Sequence, residues 1–205
     1  MLAGVCSGFV TAVLQTKMGV DSLLAGIIVN TGLYSINIAI MGGSSLLNMN
    51  KTDTVFTMVK DLLENTPLAG QYKLLVAAAA VILVVVLLTL FLGTRLGLSI
   101  RATGDNPDMV RSSSINPNFT ITIGLCVANA LTGLSGAVVG QAQKTADINS
   151  GTGIVVIGLA CLIIGETIVG RGAMFRGAIA VVAGSILYRL VYALVLHQVQ
   201  PRWTC

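Results

Sequence analysis

Five polar residues stand out at helical spacing within two mostly apolar runs. Asn30, Tyr34 and Asn37 fall at i, i+4 and i+7, and Asn129 and Thr132 lie about one turn apart. Helical spacing puts each group on one face. Amides, phenols and hydroxyls do no bond-breaking chemistry unaided, but they exchange hydrogen bonds with a passing polar solute. They serve equally as hydrogen-bonding glue between helices, so both roles stay open. A second polar group stands apart, in "LSIRATGDNPDMVRSSSINPN", residues 98–118. It holds Arg101, Thr103, Gly104, Asp105, Asn106, Pro107, Met109 and Arg111, a mixture of charges, cap formers and one methionine.

Catalytic chemistry has no foothold. There is no G-x-x-x-x-G-K-[ST] run to cradle phosphates, so the chain has no P-loop of its own. No cluster of His, Cys and carboxylate suggests acid–base work, a metal or a cofactor. Cys6, Cys126, Cys161 and Cys205 show no C-x-x-C spacing, and His197 has no neighbouring ligands. Glu166 ends an apolar run, where carboxylates are functional candidates by default. An ion pair with Arg171 or Arg176 is the alternative.

The elements that must carry these residues are set by composition. Of 205 residues 55% are hydrophobic and 10% charged, with a mean hydropathy of +0.89. Soluble domains carry about 25% charged residues, so only a bilayer suits this surface. The net charge of +4 is scattered among apolar runs, which argues for basic membrane loops and against a nucleic-acid stripe.

A membrane helix needs about 20 apolar residues. Six segments qualify or come near: Leu2–Gln15, Ser22–Met41, Tyr72–Leu92, Phe119–Gly140, Ile154–Val169 and Ala173–Leu196. The first lacks the basic start and cleavage site of a signal peptide and reads as the end of a truncated helix. The expectation is an all-α, polytopic transmembrane bundle forming one domain over residues 1–205. Its 23 glycines allow close helix approach, with the G-x-x-x-G spacing in "GVCSG" (Gly4, Gly8) and "GAVVG" (Gly136, Gly140). "LAGVCSG" and "LTGLSG" are loosely alike in segments that run in opposite directions, as inverted repeats would be.

Lys17, Arg95, Arg101, Arg111, Arg171 and Arg176 fall in one set of loops; Lys51, Lys60, Lys73, Lys144 and Arg202 fall in the other. The count is nearly even, but the arginine loops are short and the others centre on a long loop that also carries acids. The Arg101 loop, residues 94–117, is therefore placed in the cytoplasm. The long external loop, 43–71, contains Val55, Phe56, Val59, Leu62 and Leu63 at helical spacing. They predict a short amphipathic helix at the interface, packed on the bundle or receiving an external partner.

In the cytoplasmic insert Asp105 or Asn106 can cap a helix that begins at Pro107, with Asp108 in its first turn and Arg111 near its end. Asn116-Pro117 repeats the start signal for the next span. Gly97 and Gly104 would supply sharp turns on the entry side. A capped helix bolted to two spans transmits a push to both.

With these residues in view, "GLSIRATGDNPDMVRSSSINPN" followed by "LTGLSGAVVGQ" resembles the permease subunits of ATP-binding-cassette importers of the branched-chain amino acid and ribose group. Gly97, Arg101, Ala102, Gly104, Asp105, Asn106, Pro107, Arg111, Ile115 and Asn116 carry the likeness, and "LYRLVYALVL" adds to it. "NTGLYSINIAIMG" looks most like amino acid or aromatic amino acid systems. The resemblance implies a coupling helix docked on a cytoplasmic ATPase, with Arg101, Thr103, Asp105, Asn106, Met109 and Arg111 in contact or support. It also implies a second permease subunit, an external substrate-binding protein and a multi-pass place in the bacterial plasma membrane. Members usually show further helices at both ends, so the chain reads as a partial protein. "IGE" at Glu166 stands where the group shows small residues. The competing reading is an ATP-independent carrier or channel, for which only Glu166 offers an ion-coupling carboxylate. A membrane scaffold without transport would leave the Asn30 face unexplained.

Overall fold

The computed structural model describes residues 1–49, 56, 72–151, 153–170 and 174–199. Its helices are α1 (Leu2–Thr16), α2 (Ser22–Ile40), α3 (Tyr72–Leu92), α4 (Arg95–Asp105), α5 (Pro107–Ser112), α6 (Pro117–Gln143), α7 (Ile154–Val169) and α8 (Met174–Val199). The all-α expectation holds. Two three-residue strands, β1 (Leu46–Asn48) and β2 (Thr145–Asp147), pair antiparallel with Leu47 opposite Ala146. They follow α2 and α6 and so join the C-terminal ends of those helices. The chain divides into two compact units, Met1–Ile148 and Asn149–Cys205.

All six apolar segments are helical, but they are not equal. Ser22–Ile40, Pro117–Gln143 and Arg176–Leu196 are each long and apolar enough to cross a membrane. Leu2–Thr16 and Ile154–Val169 are apolar but shorter. The sixth, Val76–Leu92, joins Arg95–Asp105 through a bend of 81°. Large apolar side chains such as Leu23, Ile40, Leu74 and Val155 are exposed along these helices, as lipid-facing residues must be.

The bend corrects one expectation. Gly97 and Gly104 are not turn residues; both lie inside α4. The chain turns at Gly93-Thr94, where the Thr94 hydroxyl donates to the Phe91 carbonyl (2.6 Å) and accepts from Gly97 N–H (3.3 Å) as the N-cap of α4. Gly97 is needed for space: a Cβ there would lie 2.5 Å from the Phe91 carbonyl oxygen and would also strike Leu92 Cα. The insert is thus two helices, α4 and α5. The amphipathic helix expected from Val55, Phe56, Val59, Leu62 and Leu63 lies outside the described residues apart from Phe56, which is buried.

In the first unit the principal packing is α1 against α6. A Cβ on Gly4 would strike the Asn129 carbonyl, and one on Gly8 would lie 2.6 Å from the Leu125 carbonyl oxygen. As the α1 number rises the α6 number falls, so the helices are antiparallel. Backbones this close require glycine. "GVCSG" is therefore a real seam, whereas Gly136 of "GAVVG" meets nothing within 4 Å. Gly133 of "LTGLSG" lies over Gly4, its added Cβ 3.6 Å from the Gly4 Cα. The two look-alike segments thus cross antiparallel, glycine to glycine. In the second unit α7 and α8 pack likewise, with Gly165 against Ala180 and Gly184 against Cys161.

Candidate functional site

Two features of the first unit bring polar residues together. The first is a cleft of about 280 Å³ between α1, α2 and α6, lined by Thr11, Ser22, Asn30 and Asn129 among apolar neighbours. α2 is launched by Asp21, whose carboxylate accepts from Leu23 N–H at 2.9 Å. Ala25 of α2 and Ala12 of α1 are fully buried, so small side chains bring these two helices together near the cleft. The glycine seam fixes α6 on the other side. Asn129 Nδ2 donates to the Leu125 carbonyl (2.9 Å) and the Thr11 hydroxyl to the Ser7 carbonyl (2.9 Å). The Asn129 side-chain oxygen and both polar atoms of Asn30 engage none of the described residues. Neutral donors and acceptors thus stand ready in the cleft, with no charge among its lining residues.

The other three polar residues do not converge there. Tyr34 and Asn37 are exposed farther along α2 and do not line the cleft. Thr132 spends its hydroxyl on the Ala128 carbonyl of its own helix (3.0 Å), a local bond that helix threonines commonly make.

The second feature is the α4–α5 corner. Asn106 caps α5: its side-chain oxygen accepts from Asp108 N–H (3.1 Å) and Met109 N–H (3.2 Å), and Pro107 follows at the first helical position. Asn116 does the same for α6, accepting from Asn118 N–H at 3.0 Å. Of the two expected caps Asn106 is used, while Asp105 closes α4. Val110 is buried at 4% exposure and anchors α5, while its neighbour Met109 is 69% exposed. Arg101, Gly104, Asp105, Asn106, Pro107 and Arg111 are all exposed.

Thr103 is different. It is buried, and its hydroxyl meets that of Thr120 at 2.8 Å, joining α4 to α6. Each hydroxyl also reaches a backbone carbonyl, Thr103 to Ser99 (2.7 Å) and Thr120 to Pro117 (2.9 Å). One hydroxyl donates to its carbonyl and accepts from the other, so the buried pair is satisfied. Thr103 is thus placed to support the corner, and Asp108 and Arg111, 3.9 Å apart and exposed, add a surface ion pair.

A transmembrane bundle with a polar cleft and an exposed, capped corner has many possible owners. The sequence profile of one family, described as "Branched-chain amino acid transport system / permease component", matches residues 1–204. The chain belongs to this permease family. A tyrosine transport system permease protein of Clostridioides difficile (strain R20291) is 35% identical over 191 residues, 92% of this chain and 60% of the relative. An uncharacterized protein of Rickettsia prowazekii (strain Madrid E) is 27% identical over 203 residues, 96% of this chain and 68% of that protein. The permease thus spans about two thirds or less of the length of these relatives. No solved structure matches it significantly.

One residue of the permease escaped the loop-by-loop reading. Eleven of its 12 lysines and arginines fall in the two sets of loops; the twelfth, Arg189, lies inside the apolar window Arg176–Leu196 of α8. A cation in the middle of a span was the signal available for it. Glu166 lies one residue beyond the Gly165 contact near the end of α7 and is engaged in a polar interaction.

Proposed function

We propose that this multi-pass membrane protein is the permease subunit of an ATP-driven importer in a bacterial plasma membrane, carrying an amino acid or a related small solute. Both units act as one permease domain, paired with a second copy or a paralogue. The α4–α5 corner docks on a cytoplasmic ATPase of the ATP-binding-cassette type, and an external binding protein delivers the solute. The named relative transports tyrosine, which favours an amino acid over a sugar.

The observation that carries the reading is the corner's construction. Helix α5 is capped by Asn106, pinned by Val110 and bounded by a helix that Thr103 joins to α6, yet it presents Met109 outward among charges. An exposed methionine between Asp105 and Arg111 suits a groove on a partner better than water. Arg101, Gly104 and Pro107 extend that surface, and Thr103 makes it stiff. Force on α5 then passes to α6 through the short connection at Asn116, and to α3 through α4. The solute path runs by the cleft of Asn30 and Asn129, with Tyr34, Asn37 and Thr132 on the same helices outside it.

The test is copurification in detergent with the ATPase of the same system. Wild-type permease should retain the ATPase, and the double variant Asp105→Lys, Met109→Asp should release it while remaining monodisperse. Retention by the double variant, or no ATPase on the wild type, would overturn the reading and bring the ATP-independent carrier forward.

A further inference from the structure

We propose that the apolar cleft between α3, α4 and α6 holds one acyl chain of an anionic phospholipid, whose phosphate is taken by Arg95. This site requires a bilayer around the chain and is independent of the importer reading.

The cleft has a volume of about 270 Å³, and every residue lining it is apolar. Leu88, Phe91 and Leu92 come from the last turns of α3, Ile100 from α4, and Gly124 to Leu131 from the facing stretch of α6. The bend creates it. Helix α4 leaves α3 at 81°, and the Thr103–Thr120 bond ties it to α6. Gly124 keeps the space open, since a Cβ there would stand 3.2 Å from Ile100 Cγ2. No lining residue is fully buried, so the cleft is accessible from outside.

Water has no partners in an apolar cleft, and the medium beside two membrane helices is hydrocarbon. A further helix is too thick to enter. With side chains it is about 10 Å across, so a single turn displaces about 400 Å³, more than the cleft provides. An acyl chain fits. The α6 lining runs over seven residues, about 10 Å at the helical rise. That is roughly two thirds of one leaflet of a ~30 Å hydrocarbon core. Leu92 ends the apolar stretch of α3, so the cleft opens at the depth where lipid chains meet their headgroups.

The headgroup's charge follows from Arg95, three residues beyond Leu92. Arg95 is exposed, and none of the described residues ion-pairs with it. It is the first residue of α4, where the helix dipole disfavours a cation and favours an anion. The chain supplies no such anion locally. Asp105 closes the far end of α4, ten residues and about 15 Å away. A guanidinium takes a phosphate through two parallel N–H donors. A greasy slot and an unpaired guanidinium thus meet at one end of α3, as the tail and head of a single lipid require. Basic sites between membrane helices bind anionic headgroups in the same way.

The experiment is native mass spectrometry of the purified, delipidated permease in detergent, offered phosphatidylglycerol and phosphatidylcholine with identical chains. Wild type should retain one tightly held lipid and prefer phosphatidylglycerol about fivefold, the worth of one arginine at a membrane surface. Arg95→Gln should erase the preference and still retain a lipid. Val127→Phe, which fills the cleft, should lose both lipids. Glycerol phosphate, a headgroup without chains, should not displace the bound lipid. Equal retention of the two lipids by wild type, an unchanged preference in Arg95→Gln, unchanged retention by Val127→Phe, or displacement by glycerol phosphate would overturn the inference. Dissociation of permease copies by Val127→Phe with lipid retention intact would assign the cleft to a subunit interface and overturn it equally. Arg95→Gln changes only an exposed side chain, so it decides the matter even if Val127→Phe does not fold. ATPase copurification plays no part in these outcomes, and its failure would leave the lipid site standing.

Discussion

Two clefts of nearly equal size flank α6, and they differ in almost every chemical respect. The one against α1 and α2, about 280 Å³, contains Thr11, Ser22, Asn30 and Asn129. The other lies against α3 and α4, about 270 Å³, and is lined by Leu88, Phe91, Leu92, Ile100, Gly124, Val127, Ala128 and Leu131. Asn129 and Ala128 are adjacent in sequence, so about 100° of helix rotation separates a polar wall from a greasy one. The polar cleft sits between helices drawn together by glycine and alanine. The apolar one sits beside the 81° bend, at the root of the corner read as the docking site. One face of α6 therefore carries hydrogen-bonding groups beside its cleft, and the other only apolar side chains.

The most severe way to break this comparison is to wedge the glycine seam that forms one wall of the polar cleft. Gly8→Leu should cost about 3 kcal/mol, the upper end for overpacking, because the obstruction is backbone. Thermal unfolding in detergent reads this. Gly136→Leu, with open space around it, should stay within about 0.5 kcal/mol. Equal costs would mean the seam is not the packing contact.

Changing the chemistry of each cleft without its architecture comes next. Asn129→Leu should lower solute uptake about tenfold, the worth of one hydrogen bond to a charged or strongly polar ligand. Its stability should shift by less than about 1 kcal/mol, because the amide bonds only its own helix. Ala128→Leu fills the apolar cleft and should leave uptake near wild type. If the two variants behave alike in proteoliposomes, the contrast between the clefts has no functional meaning.

Smaller effects sharpen the apolar side. Thr103→Val removes the hydroxyl that joins α4 to α6 and should cost about 1 kcal/mol, with faster hydrogen exchange in α4 than in α1. Asn106→Ala removes the cap of α5 at a similar cost of about 1 kcal/mol. Its effect is confined to α5, so ATPase retention should weaken while the unfolding midpoint barely moves. Asp108→Asn breaks an exposed pair at 3.9 Å and should change stability by no more than about 0.3 kcal/mol.

Local signals were the legible ones. Asn106-Pro107 and Asn116-Pro117 announced two helix starts, and both caps form with side-chain oxygens on the next backbone N–H groups. Such bonds close within three residues, so neighbouring sequence suffices to specify them. The 81° bend was misplaced for the opposite reason. Gly97 looks like a turn residue, yet it is a helical residue whose missing Cβ lets the next helix start against Phe91 and Leu92. Composition cannot distinguish a glycine needed for its dihedral angles from one needed for space.

The sequence by itself determined the solvent, the helices and their caps. Apolar runs with few charges leave no soluble alternative, and each helix satisfies its backbone internally wherever it is placed. Only the tertiary structure decided which of two G-x-x-x-G spacings is a seam, and that Asn30 and Asn129 line one cleft while Tyr34, Asn37 and Thr132 lie outside it. It alone showed Arg189 exposed, with no hydrogen bond or ion pair among the described residues. Those outcomes depend on which helix lies opposite, a relation between residues a hundred positions apart that no local pattern encodes.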